Sequence, residues 1–386
     1  MPDHFMSSAA PAPQKPRPLP GTGWSRFWNR VTEGMAMDQL WSQFRADTRA
    51  GYRFYSKEIN QDRTSGMKPG HKFWFMAEQF FWAVMEKLSP ARRVLLLVAL
   101  VSLLFGQITW HTTQNQTIVV NPQFWGGLLM FLLLILEIGD RVIMKRDLQI
   151  AKEIQQWLLP ATPPIVPGME VAFVTRPANT VAGDFYDVFP RTGGNDHWLI
   201  ACADVAGKSM PAALLMATFQ ASLKTLSTAD ISLPDLAASM NKYACTNSQQ
   251  GRRFTTAFLA EYTPATRTLT YINAGHNNPM LRRATGQLER LDIGGIPLGM
   301  MEDVTYPSAT LTLNPGDWLV IFTDGVVEAE NDHAQEYGED RLIAVVNANL
   351  QLGPAQMLYQ IMTDVDRFVA MTPQHDDITC LLIKAV

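Results

Sequence analysis

Cysteine is scarce in this chain of 386 residues: there are three, Cys202, Cys245 and Cys380. Their odd number and wide spacing exclude a disulfide framework and match neither a zinc site nor a redox pair. Reduced thiols facing a cytosol are expected. Charge is also sparse. Charged residues make up 18% against 47% hydrophobic, which excludes a disordered or fibrous chain and leans toward membrane attachment. Basic excess is missing where it would matter for nucleic acid: residues 161–386 carry 14 Lys/Arg against 24 Asp/Glu. That acidic half argues against nucleic acid as a partner. Residues 1–160, with 18 Lys/Arg against 12 Asp/Glu, suit an anionic membrane face instead.

Long apolar runs are present twice, the first without a charge and the second with Glu137 near its end. Residues 94–110, VLLLVALVSLLFGQITW, follow Arg92 and Arg93, and residues 124–138, FWGGLLMFLLLILEI, precede Arg141, Lys145 and Arg146. A bilayer core of about 30 Å needs about 20 helical residues, so each run borrows interfacial neighbours such as Trp110. The reading is a transmembrane hairpin over 91–140. The positive-inside rule puts both ends in the cytoplasm and the uncharged connection 111–123 outside. This places the chain at a cytoplasmic (inner) membrane with two spans. Ahead of it, the proline-rich residues 1–23 read as an unfolded tail. Residues 24–90 read as a cytoplasmic helical segment whose stretch 71–88 lies on the membrane or packs as an ordinary amphipathic helix.

Residues 141–160 read as a linker helix continuing from the second span. Ile143, Ile150, Ile154 and Trp157 make a short seam, a candidate contact for a homodimer. Pro160, Pro163, Pro164 and Pro167 end it, and a domain over 161–386 begins. There, strand-like runs at 169–176, 183–189, 197–205, 254–262, 268–273, 304–313, 317–323 and 377–385 come in bursts. Helical stretches fall at 209–228, 233–249, 338–350 and 354–371. Bursts of strands predict antiparallel sheets with helices packed outside, an α+β class.

Four acidic spots in this domain share one local pattern. Asp184 follows Gly183 into a strand, and Asp204 ends the apolar run Leu199 to Ala203. Asp324 ends Trp318 to Thr323 and precedes Gly325, while Asp376 and Asp377 precede the last strand. Carboxylates held at strand ends beside glycines can converge on one centre, and they repel one another unless a cation lies between them. Hard oxygen donors favour Mg²⁺ or Mn²⁺ over zinc.

The order of these motifs resembles the SpoIIE/RsbU-type branch of the protein phosphatase 2C superfamily, over about residues 147–386. The resemblance is carried by the helix 148–160, DVAGKSMPAALLM (204–216), Asn273-Ala274-Gly275-His276-Asn277, Pro297-Leu298-Gly299, FTDGVVEAEN (322–331), Tyr337-Gly338 and DDIT (376–379). It implies a phosphatase 2C-like antiparallel β-sandwich flanked by helices, and a metal-dependent serine/threonine protein phosphatase. By motif, Asp204 would bridge two Mn²⁺ or Mg²⁺ ions and the Val205 carbonyl would bind one. Asp324 with Asp376 would complete the first ion, and Asp184 would serve the second. Asp377 remains an alternative to its neighbour Asp376. Two metals would activate a water for in-line attack on phosphorus. No cysteine nucleophile is needed, and no cysteine here is followed six residues later by arginine.

The resemblance also implies a substrate: a phosphorylated anti-sigma-factor antagonist of the STAS type, in a partner-switching pathway. Asp187 and Lys208 are candidates for supporting the ligands or for facing solvent. His276 and His375 are candidates for general acids or for structural roles. Val181-Ala182 and Ser209 depart from the family pattern, which favours small residues or glycine there. The competing reading is a catalytically inactive scaffold that binds the phosphoprotein. A diguanylate cyclase remnant at 182–185 leaves DVAGK, TDG and DDIT unexplained.

Overall fold

The structure, a computed structural model, describes residues 69–111, 117–191, 197–247 and 253–386. The expected tail 1–23 and most of the segment 24–90 lie outside them. The chain divides into two compact units, up to Glu137 and from Ile138 onward.

In the first unit, α1 (Pro69–Lys87) and α2 (Pro90–Leu104) lead to a two-stranded antiparallel ladder of β1 (Ile108–His111) and β2 (Thr117–Val120). The helix α3 (Pro122–Leu158) follows and runs on into the second unit. The first apolar run is therefore not one helix. Its helix stops at Leu104, and beyond Gly106 the β-favouring residues Ile108, Thr109 and Trp110, expected to end the first span, enter the ladder instead, pairing with β2 inside the connection expected to be a loop. Among the described residues, no helix is both long and apolar enough to cross a membrane. The two apolar helices do pair closely. A side chain at Gly126 would come within 2.9 Å of the Ala99 carbonyl. Arg92 meets Glu137 at 3.5 Å, which gives the acid in the second run an ion-pair partner.

The second unit is a sandwich of two sheets between two pairs of helices. One sheet orders β10 (Gly294–Gly295), β7 (Thr268–Ala274), β6 (Thr255–Thr263), β5 (Trp198–Val205) and β4 (Phe185–Pro190), with β11 (Ala309–Thr312) also on β7. The other orders β3 (Met169–Arg176), β13 (Ile378–Ala385), β12 (Trp318–Phe322), β8 (Met280–Arg282) and β9 (Leu288–Arg290). Among the described strands of this unit, the short β10–β7 pair is parallel and the others are antiparallel. Helices α4 (Met210–Leu226) and α5 (Leu233–Asn247) cover the first sheet. The one-turn α6 (Asp324–Val327), with α7 (Glu339–Ala348) and α8 (Pro354–Val369), belongs to the second.

The strand alternation explains the layers. Along β5, Leu199, Ala201, Ala203 and Val205 pack with Met216, Phe219 and Leu236 of the helices. The intervening Ile200 and Cys202 turn inward against Phe258, Ile321 and Leu381. Because β5 is buried on both faces, its sequence is a continuous apolar run rather than an alternating one. Cys202 and Cys380 are fully buried free thiols, and burial pushes both pKa values up, so they behave as inert core residues.

Candidate metal centre at the end of the sandwich

Register places the acids. Asp204 stands opposite Thr256 at the end of β5, on the face that Ile200 and Cys202 direct into the sandwich. Asp184 immediately precedes β4, beside β5 in the same sheet. Asp324 follows β12, and Asp376 and Asp377 precede its neighbour β13, in the other sheet. The two sheets thus deliver acids to one end of the sandwich. These are the residues the sequence singled out.

Asp184 is 1% exposed, and its carboxylate accepts a hydrogen bond from the Thr323 hydroxyl at 3.0 Å. Thr323 in turn accepts the backbone N–H of Thr379 at 2.9 Å, which ties β12 to β13 beneath the acid. Burial, then the charge of Asp204, holds the Asp184 carboxyl well above the usual range. Asp204 is pushed up to about 7, first by burial and then by Asp324, Asp376 and Asp377. Asp324 is raised by burial and by Asp376. Carboxylates that repel one another in a desolvated pocket are what a bound divalent cation relieves, and every donor is a hard oxygen. The donor chemistry fits Mg²⁺ or Mn²⁺. Among the described residues, no group of three or more acid, histidine or cysteine side chains is drawn together as a coordination shell.

Two glycines make the approach possible. A Cβ at Gly183 would sit 3.0 Å from the Val205 carbonyl and 3.2 Å from the Ala212 side chain. A Cβ at Gly325 would sit 2.1 Å from the Asp377 carbonyl, so only glycine lets the turn after Asp324 lie against the entry to β13.

Asp376 and Asp377 have different surroundings. Both oxygens of Asp377 are engaged by backbone, accepting Ala178 N–H at 2.7 Å and Gly183 N–H at 2.6 Å. Asp376 keeps one oxygen for its neighbour's N–H and turns the other to the Lys208 ammonium at 2.9 Å. Asp187, a candidate supporting group, lies elsewhere: it is buried in an ion pair with Lys224 of α4 at 2.6 Å. His276 is buried, with its pKa lowered to about 4 by that burial, and its Nδ1 lies 3.1 Å from the Thr256 hydroxyl. His375 contributes its backbone carbonyl, which accepts Lys208 at 2.7 Å.

Sequence reasoning missed three residues here. Thr323 and Thr379 brace Asp184, and their adjacency to TDG and DDIT was the available signal. Gln155, near the end of α3, is 7% exposed. Its amide donates to the Ala182 carbonyl at 2.7 Å and accepts the Ala182 N–H at 2.9 Å, one residue from Gly183. Nothing in the local sequence announces that pairing.

Comparison with known proteins places the chain in a family. The family model described as Stage II sporulation protein E (SpoIIE) matches residues 194–386. Protein IcfG of Synechocystis is 27% identical over 273 residues, covering 64% of this chain and 42% of IcfG. Phosphoserine phosphatase RsbU of Bacillus subtilis is 26% identical over 249 residues, covering 64% of this chain and 72% of RsbU. The chain thus spans under half of one relative and most of the other. Among solved structures, the SiaA-PP2C domain of Pseudomonas aeruginosa superposes with a TM-score of 0.56 at 20% identity, over 64% of this chain and 99% of that domain. That likeness shows the phosphatase 2C-like fold. With half its length matched by the family model, the chain belongs to the SpoIIE family, and its rear unit is a phosphatase-type domain of that family.

Proposed function

We propose that the chain is a metal-dependent protein serine/threonine phosphatase. The observation that carries the reading is that Asp184, Asp204 and Asp324, with Asp376 at the exposed rim, come from both sheets to one end of the sandwich, where burial and neighbouring acids hold Asp184, Asp204 and Asp324 above their ordinary pKa. Asp204 with the Val205 carbonyl, Asp184, Asp324 and Asp376 would hold two Mn²⁺ or Mg²⁺ ions. Asp377, with both oxygens on backbone N–H groups, fixes the loop that carries Gly183 and Asp184. When bound, the ions supply Lewis acidity for attack of water on phosphorus. The chain's own part is to fix four carboxylates rigidly and to keep bulk water from beneath them, with Thr323 and Thr379 holding Asp184 in place.

The proposed substrate is a phosphorylated STAS-type anti-sigma-factor antagonist in partner-switching signalling, supported by the motif order and by likeness to RsbU. Membrane anchoring is proposed as well. Leu97, Val101 and Leu104 on α2, with Phe131 and Leu134 on α3, expose large apolar side chains that water disfavours. On α3 beyond them, Ile143, Ile150, Ile154 and Trp157 are also exposed, which supports pairing of this helix between two copies and transmission of a signal along it.

The test is phosphate release from a phosphoserine protein by the purified chain, with Mn²⁺ supplied or chelated, beside Asp204→Asn. Release that needs Mn²⁺ and Asp204 supports the reading. Binding of the phosphoprotein without release makes the chain a scaffold instead. Persistence in the membrane fraction after alkaline carbonate extraction tests the anchor. Inserting residues that rotate α3 by a third of a turn tests transmission, and unchanged turnover counts against it.

A further inference from the structure

Lys208 stands at the mouth of the acidic centre. The acids grade from a buried floor at Asp184, 1% exposed, to a rim where the side chains of Asp376 and Lys208 are 42% and 54% exposed. A ligand entering from solvent meets that rim first. Lys208 is held there by geometry at both ends. Its ammonium donates to Asp376 at 2.9 Å and to the His375 carbonyl at 2.7 Å. Its backbone lies between Gly207 at φ +124° and Ser209 at φ +64°, two positive-φ residues in the short turn between β5 and α4. An ordinary surface lysine pairs with one exposed acid for little gain. This one reaches across from the loop after β5 to the loop before β13 and holds two groups there, the Asp376 carboxylate and the His375 carbonyl.

Asp376 is one of the residues assigned above to metal, so a divalent ion and the Lys208 ammonium compete for the same carboxylate. An ammonium displaced from Asp376 remains on a short loop at the rim, where the dianionic phosphoryl group of a substrate would arrive. We propose that Lys208 is a two-position cation: it neutralises Asp376 when the metals are absent, and when they bind it moves onto the phosphoryl oxygens of the substrate, as a catalytic residue that binds phosphate. The inference rests on the phosphatase reading and adds to it a residue that recognises the substrate's phosphate.

The experiment uses the full chain as wild type, Lys208→Met and Lys208→Arg. Calorimetric titration of the metal-free proteins with Mn²⁺ is expected to show binding several-fold tighter in Lys208→Met, because the competitor is gone. Titration of the Mn²⁺-saturated proteins with inorganic phosphate is expected to show about tenfold weaker binding in Lys208→Met, the loss of one charge-assisted contact, with Lys208→Arg close to wild type. With a phosphoserine protein, KM should rise more than kcat falls. Unchanged phosphate affinity in Lys208→Met overturns the proposal, and so does unchanged or weaker Mn²⁺ binding. A wild-type chain that hydrolyses nothing refutes the phosphatase reading instead, while the two titrations still decide the role of Lys208.

Discussion

The carboxylate of Asp377 accepts the backbone N–H of Gly183 at 2.6 Å, across 194 positions of sequence. That bond locks the glycine before Asp184 to the entry of the last strand, and so joins one sheet to the other at the rim of the acidic centre. An acid fixing a backbone turn does different work from an acid facing a cation, and the neighbours Asp376 and Asp377 divide the two tasks. Asp377→Asn keeps an acceptor for one of its two N–H bonds. It is expected to lower Mn²⁺ affinity through loss of loop order while destabilising the fold, measured by calorimetric titration beside a melting curve. Asp376→Asn should lower Mn²⁺ affinity and leave the melting temperature of the metal-free protein within about 3 °C, a shift on the order of 1 kcal/mol.

Removing the central charge should separate stability from function. Asp204→Asn takes away a carboxylate that burial and three neighbouring acids hold up to about 7. The metal-free variant is expected to melt higher than wild type above pH 7, because an uncompensated buried charge is gone. Its Mn²⁺-dependent phosphate release should fall by more than 100-fold, on the order of 3 kcal/mol of barrier. Thermal melts in chelator and a phosphate-release assay check the two halves.

The same group sets a pH slope. Its folded value lies above its ordinary 3.8, so between about pH 4 and pH 7 the folded state keeps a proton that the unfolded chain has lost. This contribution is fully present below the ordinary value and is lost as pH rises through the folded one. His276 acts oppositely, since burial lowers its pKa from 6.5 to about 4 and destabilises the fold as pH falls through that interval. The difference in melting temperature between Asp204→Asn and wild type isolates the carboxylate. It should grow from pH 5 to pH 8 in chelator and shrink when Mn²⁺ is added.

Much of this could be read from the sequence, and the parts that could not share a cause. Strand β5 and its terminal Asp204 were legible because a strand buried on both faces is a continuous apolar run with a definite end. Helix α8 was legible because Met357, Leu358, Ile361 and Val365 recur at helical steps and are buried. The strands β8, β9 and β10, of two or three residues, exist only because a neighbour's backbone lies alongside them. The run 304–313 looked like one strand, yet four residues of it pair with β7. Short elements of this kind are tertiary events. So is the bond between Gln155 and Ala182, which links a polar helix residue to a peptide group that carries no side-chain signal.

That bond makes its own prediction. Gln155→Ala leaves the buried N–H and carbonyl of Ala182 without their partner, at a cost on the order of 3 kcal/mol. For a unit of this size, the melting temperature should fall by about 10 °C. Hydrogen exchange at Ala182 and Gly183 is expected to rise well beyond that at β5.

Ser209 offers a change in the other direction. Its backbone sits at φ +64° and ψ −147°, a region that suits glycine. Ser209→Gly should raise the unfolding free energy by about 1 kcal/mol, read from chemical denaturation. The strain flanks Lys208, so relief of it is expected to loosen that side chain's hold on Asp376 and tighten Mn²⁺ binding.

Because Asp184 and Asp204 ride on one sheet while Asp324 and Asp376 ride on the other, neither sheet alone carries the full set of proposed ligands. Cutting the gene between β11 and β12 would yield two inert polypeptides, and any recovered turnover on mixing would report their reassociation. On the phosphatase reading, turnover would therefore gauge whether β12 and β13 are seated between β3 and β8.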